Sequence, residues 1–404
     1  MTQNFDVVIV GGGMVGAALA CSLGDSPLQV AVIENSPPQA FSPDQPHDLR
    51  VSALSMASKA ILETVGAWQG IEQRRLCPFR RMRVWETAGD TEFRSDDINF
   101  PQLGYIVENR VIQLALLERL AAFDNISLIS PASIQKIEYS PDRFSHITLG
   151  DQSVLTAKLL VAADGGNSRV RQTVNLGVTS WDYQQHALVL YVETEYGQQD
   201  ITWQRFLPSG PQAFLPLPGH YGSLVWYNSP DEVKRLQALS LAALQDELMA
   251  AFPPELGQVK VLATASFPLK RQHAQAYVKP GVALVGDAAH MINPLAGQGV
   301  NIGFLDAAAL GEVLVEAARN GLDPDDLKVL RRYETMRRTE NLKMMTVMDA
   351  FYHVFSNEIL PVKILRNLSL GLAERLSPAK HKVMRMAMGI DGDLPKLARG
   401  QPIV

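Results

Sequence analysis

The run Gly11-Gly12-Gly13-Met14-Val15-Gly16 constrains the fold of this chain more than any other feature. Before it lies the short Val- and Ile-rich stretch Asp6–Val10. After it come the helix-like Ala17–Leu23 and a second apolar run, Val30–Ile33, that ends at Glu34. The order is strand, glycine-rich turn, helix, strand, acid. Gly11, Gly13 and Gly16 occupy the glycine positions of a dinucleotide-binding turn. The first permits the tight turn, the second lets a pyrophosphate approach the backbone, and the third lets helix and strand pack closely; the helix N-terminus faces the phosphate charge. Glu34 stands 23 residues after Gly11, where a carboxylate accepts from both ribose hydroxyls of an adenosine and repels a 2′-phosphate. The ligand is therefore FAD or NAD rather than NADP.

Two further strand ends carry an aspartate. Lys158–Ala163 reads as a buried strand running into Asp164-Gly165, and Val282–Val285 as another running into Gly286-Asp287. A carboxylate at a strand tip can hold the ribityl hydroxyls of a flavin, which NAD lacks. The segment Gly297–Asn301, with Gly299 and Val300 inside it, opens a long helix predicted from about Gly299 to Ala318. Its free N–H groups suit a flavin ring and the negative charge that a reduced flavin carries. A nicotinamide dehydrogenase would need none of this, so FAD is the preferred ligand.

At 404 residues the chain exceeds one ordinary core, and its texture changes along its length. Ser52–Val65 and Arg110–Phe123 have helical spacing, and Ile126–Ile129 reads as a short strand. From about Trp181 to Phe267, the apolar runs Ala187–Val192, Ala213–Leu217 and Ser223–Tyr227 are separated by Gly, Pro and Ser turns, which predicts an antiparallel sheet. The expected fold class is α/β. It comprises a Rossmann-like FAD-binding domain, discontinuous over 1–75, 101–180 and 268–340, and an inserted mixed or antiparallel β-sheet substrate domain over 76–100 and 181–267. Helices fill 341–404.

A hydrophobic fraction of 47 % and a charged fraction of 20 % are globular values and exclude a disordered chain. The formal net charge of −5 argues against a nucleic-acid partner. Two cysteines, Cys21 and Cys77, make no disulfide framework and suit a reducing, cytoplasmic compartment. The N-terminal apolar run is not read as a secretory signal, because no Lys or Arg precedes it and glycines interrupt it. No stretch approaches the ~18 uncharged apolar residues of a membrane span. The eight histidines are scattered with no metal-ligand spacing, so no metal is expected.

As a set, these signals resemble the single-component flavoprotein aromatic hydroxylases of the p-hydroxybenzoate hydroxylase fold group, from the first strand to about residue 340. The segment Val161–Arg171 is similar to one that this family uses for both FAD and NAD(P)H, with Ala162 where a glycine is usual. Arg50, in Asp48-Leu49-Arg50-Val51-Ser52, matches a flavin-contacting arginine, and Gln113 a residue near the pyrophosphate. More particular runs, including Gly104–Asn109, Trp203–Phe206, Ser223–Pro230 and Ala283–Gly303, resemble the FAD-dependent hydroxylases of ubiquinone biosynthesis. Within these, Trp226-Tyr227-Asn228-Ser229-Pro230 and Arg366-Asn367-Leu368 are most similar to the hydroxylases of 2-polyprenyl-3-methyl-6-methoxy-1,4-benzoquinol, with the hydroxylase of the preceding step close behind.

The resemblance implies a reaction. FAD reduced by NAD(P)H or another donor meets O2, forms a C4a-hydroperoxyflavin, and hydroxylates the ring of a polyprenylated quinol or phenol. The pocket must be kept dry. It implies no acid or base, so no catalytic residue is named; His290 is read as a buried, hydrogen-bonded histidine. Pro294 would shape the pocket wall, and Phe214, Trp226 and Tyr227 are candidates for the substrate face. Another flavoenzyme of this fold, a polyprenyl reductase or oxidase, and a non-catalytic flavoprotein subunit of a biosynthetic complex remain alternatives.

The charge is also uneven. Residues 331–404 carry a net of +6 and seven of the thirteen methionines, whereas the first 330 residues carry −11. Basic, apolar-faced helices lie on an anionic membrane surface, dock on a partner in a ubiquinone-biosynthesis complex, or simply cover the protein's own core. The first two readings suit a cytoplasmic enzyme with peripheral contact at the inner face of the membrane.

Overall fold

The strand Thr2–Val10 runs through the parallel centre of an eight-stranded sheet, and its Val7–Val10 end is buried. It pairs with Val30–Ile33 on one side and with Val154–Ala162 on the other. Ile126–Ile129 extends the sheet past the former, and Val282–Leu284 past the latter. All these pairings are parallel, and the continuous Val, Ile and Leu runs are what a sheet covered on both faces requires. The helices Met14–Ser22, Asn109–Leu120 and Gly299–Arg319 supply cover, the first packing against both of the others. This computed structural model describes residues 2–86, 89–142, 144–292, 299–355 and 377–404.

Register decides where chemistry can occur. Val10 lies opposite Ile33 and Ala162, and Ala162 lies opposite Leu284. Gly11, Asp164 and Gly286-Asp287 therefore leave the sheet at one carboxyl edge, where open α/β sheets place their ligands.

A second eight-stranded sheet contains Val178–Thr194, Tyr221–Asn228, Gln212–Pro216, Ile201–Arg205, Arg81–Trp85 and Asp90–Arg94, with Val259–Ala274 and His290–Met291 toward its other edge. Its pairings are antiparallel except between Ile201–Arg205 and Arg81–Trp85, which is the mixed sheet expected. Because His290–Met291 pairs with Gln272 and His273, this sheet is joined directly to the segment that follows Asp287.

Two helices within this region, Pro230–Gln237 and Leu241–Ala251, depart from the all-strand expectation. Ser229 and Ser240 cap them by accepting from Glu232 N and Ala243 N, and Pro230, Asp231 and Glu232 fill the first turn of the earlier one. Their Val233, Leu236, Leu244 and Leu248 are buried against the outer face of the sheet.

That cover corrects two expectations. Phe214 and Trp226 do not face a substrate pocket; they are buried in the outer core beneath these helices. Phe214 stacks on Trp203 with ring centroids 5.8 Å apart, and Trp226 meets Phe252 edge-on at 5.4 Å. Successive strand residues point to opposite faces, so the inner face of the same strands is furnished by Ala213, Leu215 and Val225. Ser52–Val65 is likewise not one helix. Val51–Ser55 pairs with Gly104–Glu108, and the helix is Met56–Thr64, started by Ser55 accepting from Ser58 N.

Val51–Ser55, Gly104–Glu108 and Cys77–Phe79 form a three-stranded sheet. Its Ala53, Phe79 and Ile106 meet Tyr191, Leu215 and Leu217 of the second sheet's inner face. Met384 of the helix Ser377–Ala387, and Met388 just after it, join the same cluster. Within the stretch 341–404 expected to be helical, residues 356–376 lie outside the described residues. Cys21 and Cys77 are unpaired and buried, and burial pushes both thiols up to about 12. Among the described residues, no helix is long and apolar enough to cross a membrane.

Phe214→Ala empties a packed outer-core position and is expected to cost about 3–5 kcal/mol in denaturant unfolding. The KM of the residual folded enzyme should stay within about twofold of wild type; a large KM change at unchanged stability would return Phe214 to the substrate face.

Candidate functional site

The glycine turn is held by backbone contacts that leave no room for side chains. Gly11 has φ +106°, and a Cβ there would lie 2.4 Å from the Ala163 carbonyl oxygen. A Cβ on Gly16 would lie 2.0 Å from the Gly11 carbonyl oxygen, so the helix sits directly on the turn. Gly13 faces open space, and the helix Met14–Ser22 that it precedes has no side-chain cap. The first-turn amides are left for an anion. Glu34 Oε2 accepts from Gly12 N at 2.8 Å and Oε1 from Ser36 N at 2.8 Å, fixing the carboxylate at the rim of the turn. Gln113, on the helix Asn109–Leu120, donates to the Gly12 carbonyl at 2.9 Å.

Asp164 lies beside this turn. Its Oδ2 accepts from Arg169 N (2.7 Å) and Val170 N (3.2 Å), whereas Oδ1 is buried with no partner among the described residues. Buried Arg171 bridges the second and third strand tips, donating to Gly166 O at 2.8 Å and Ala288 O at 2.7 Å.

Asp287 is exposed. Enough protein closes around it that desolvation raises its carboxyl above the usual range, opposed by the fields of His290 and Arg50. Arg50, itself exposed, thus acts on Asp287 although the two are far apart in sequence.

On the other side, Asn301 is buried and saturated. It donates to Ala53 O at 2.8 Å and accepts from Ser55 N at 3.0 Å and Ser58 Oγ at 2.7 Å, tying the start of the helix Gly299–Arg319 to the three-stranded sheet. Gly299 faces open space and Val300 is half-buried. Gly297 and Pro294 lie outside the described residues. The remaining predicted cofactor residues converge at one edge, and the unpartnered Asp164 oxygen, the open Gly13 and the uncapped helix fit a flavin dinucleotide.

A narrow cavity lies between the sheets, lined by Ala53, Phe79, Met82, Val84, Gln204 and Leu215 among others. Gln204 is a buried amide on this lining. Ser223, which shares the inner face with its pair partners Leu215 and Tyr191, has a buried, unpartnered Oγ. Polar groups left this way in apolar walls are handles for a ligand. Tyr227 is buried on the inner face but packs beside the cavity, on Ala187, Leu269 and Met348.

Sequence reasoning missed Gln204 and also a buried polar network beneath Asp287. Asp306 Oδ2 accepts from Gly286 N at 3.2 Å and His290 Nε2 at 2.5 Å; Oδ1 accepts from Arg337 Nε at 3.1 Å and Asn341 Nδ2 at 2.9 Å. Tyr277 OH joins Asn341 to His273 Nε2, each at 3.2 Å. Burial alone would raise the Asp306 carboxyl, but His290, Arg337 and Asn341 outweigh it and hold it below the usual carboxylate range. The available signal was a lone acid inside the apolar run 302–311.

Burial, aided by Arg338, lowers His273 from 6.5 to about 4. The unfolded chain therefore binds this proton between those pH values while the folded chain does not, so stability falls as pH drops from about 6.5 to about 4. His273→Gln should flatten part of that slope in urea unfolding measured across this range; an unchanged slope would exclude a neutral buried His273.

Residues 4–346 match the family described as FAD binding domain. The chain is 43 % identical over 389 residues to 3-demethoxyubiquinol 3-hydroxylase of Escherichia coli (strain K12), covering 96 % of this chain and 99 % of that protein. It is 40 % identical to ubiquinone hydroxylase UbiL of Rhodospirillum rubrum, with 98 % and 93 % covered. It is 35 % identical to the mitochondrial ubiquinone biosynthesis monooxygenase COQ6 of Homo sapiens, with 95 % and 92 % covered. Among solved structures, p-nitrophenol 4-monooxygenase PnpA from Pseudomonas putida DLL-E4 aligns with a TM-score of 0.79 at 20 % identity, over 97 % of this chain and 99 % of that one. That likeness speaks for the fold. The chain belongs to the FAD binding domain family, among the flavin-dependent hydroxylases of ubiquinone biosynthesis.

Proposed function

We propose that this chain is an FAD-dependent monooxygenase that hydroxylates the ring of a polyprenylated benzoquinol or phenol in ubiquinone biosynthesis. The observation that carries the reading is the double role of Ala53. Its carbonyl accepts from Asn301 at the flavin-facing helix start, and the same residue lines the apolar cavity. Cofactor edge and ring cavity thus share a wall, and identity to named ubiquinol and ubiquinone hydroxylases over nearly the whole chain supports the substrate class.

Bound FAD, reduced by NAD(P)H or another donor, supplies one oxygen atom of O2 to the ring. The chain's own residues do the rest. Gly11, Gly13 and Gly16 with the helix N-terminus seat the pyrophosphate beside Gln113, and Glu34 takes the ribose. Asp164 and Asp287 hold hydroxyl-bearing parts of the cofactor, while Arg50, Gly299, Val300 and Asn301 face its ring. Ala53, Phe79, Met82, Val84 and Leu215 exclude water, and the Gln204 amide orients a ring hydroxyl. Residues 76–100 and 181–267 act as the substrate-facing unit, 1–75, 101–180 and 268–340 as the cofactor unit.

We further propose a cytoplasmic enzyme with peripheral contact at the inner membrane face through its C-terminal helices. The exposed side of Ser377–Ala387 sets Val383 (50 % exposed) and Met386 (44 %) beside Lys382 and Arg385, a mixture suited to an anionic bilayer surface. It also favours the hydroxylase reading over a non-catalytic subunit, because a bilayer-resident substrate needs an enzyme that reaches it.

A strain lacking the gene should accumulate a quinone-pool intermediate short of one ring hydroxyl by mass spectrometry; an unchanged pool overturns the assignment. In purified enzyme, Gln204→Leu should lower quinol-dependent kcat/KM about tenfold, equivalent to ~1.4 kcal/mol, with FAD content unchanged. In flotation, the protein should rise with anionic vesicles and the Val383→Asp/Met386→Asp variant should not; equal recovery of both would reject the membrane-facing helix.

A further inference from the structure

We propose that Asp306 is a positioning residue for Asp287, acting through the backbone of the turn that carries it. The proposal rests on the reading of Asp287 as a cofactor-holding carboxylate.

The Asp287 side chain has no hydrogen bond to any of the described residues, and it is exposed. Nothing on the side chain itself fixes where the carboxylate points, so its placement comes from the peptide groups on either side. Both are anchored. The Gly286 amide donates to Asp306 Oδ2 at 3.2 Å, and the Ala288 carbonyl accepts from Arg171 at 2.7 Å. Gly286 has φ +58°, a conformation with little steric preference in glycine, and so it needs an external hold.

Asp306 is built to provide that hold. It is fully buried and has four donors, two on each oxygen, from two separate segments: Gly286 and His290 on the turn, and Arg337 and Asn341 on the helix Leu327–Phe355. His290, Arg337 and Asn341 are themselves buried. A buried ion pair with hydrophobic neighbours is a weak source of stability, since its desolvation offsets much of its attraction. What so many converging donors do supply is a single orientation. Arg337 also donates to Asn341 Oδ1 at 2.6 Å, and Tyr333 OH to Leu284 O at 2.7 Å, so the strand end before Gly286 is held by the same helix.

The test is a double-mutant cycle on the holoenzyme, reading FAD release as the rise of flavin fluorescence after dilution, together with the visible circular dichroism of the bound flavin. Asp287→Asn and Asp306→Asn should each speed release about tenfold and alter the flavin dichroism in the same way. The double variant should also release about tenfold faster than wild type, because the second change acts through a residue already altered. Release about a hundredfold faster in the double variant makes the two effects independent and overturns the proposal. Wild-type release from Asp287→Asn alone overturns the cofactor role of Asp287 and the proposal with it, a result visible in the single variant. Should Asp306→Asn fail to fold, Asn341→Ala removes one donor without stranding a charge. It should speed release about threefold in the wild-type background and leave Asp287→Asn unchanged; a further threefold there overturns the proposal.

Discussion

The level ending of three parallel strands is the constraint on which the rest of this molecule depends. Hydrogen-bond register places Val10, Ala162 and Leu284 side by side, and the chain leaves each strand into a glycine or an aspartate. A slip of one residue in either pairing would carry a motif off the common edge and turn its buried faces outward. Close packing preserves the register. The helix after Gly11 lies so near the turn that a single methyl at Gly16 would displace backbone, and a methyl on Gly303 of the long helix would lie 2.6 Å from the Val15 side chain.

The second sheet works by separating its two faces. Outward, Leu188, Leu190, Phe214 and Trp226 make a conventional core under two capped helices. Inward, smaller and more polar residues face the three-stranded sheet and leave the cavity. The covered outer face lets the inner one stay thinly packed, since the sheet does not depend on the cavity for most of its buried apolar area. Short links bind this arrangement to the cofactor edge, among them the Asn301 side chain and the His290–Met291 pairing.

How much of this was legible in the sequence follows from the range of the interactions involved. The glycine turn, Glu34 and the helix from Gly299 rest on spacings within one strand–turn–helix unit, and the structure has them at the expected residues; the long helix ends at Arg319, one residue past the expectation. The family was legible for the same reason, because its motifs are local. The side of a strand that faces a site is a different kind of fact. Alternation told that Phe214 and Leu215 point oppositely, but only the helices at 230–251 decide which of them is inside, and those helices had a readable start in Ser229-Pro230-Asp231-Glu232 that the surrounding apolar runs obscured. Ser52–Val65 failed at its beginning because strand pairing with Gly104–Glu108 overrode helical spacing. The Asp306 network was beyond reach as a network, since its partners lie 16 to 35 residues away in sequence.

The two cysteines acquire a chemical meaning from their setting. An enzyme that brings reduced flavin together with O2 works beside a source of peroxide, and peroxide attacks thiolates far faster than thiols. Cys21 lies on the buried side of the helix that follows the glycine turn, and Cys77 in the small sheet that walls the cavity, both within the cores nearest that chemistry. Burial keeps each protonated at physiological pH. The chain thus carries its only sulfhydryls close to the oxidant in the one ionisation state that resists it.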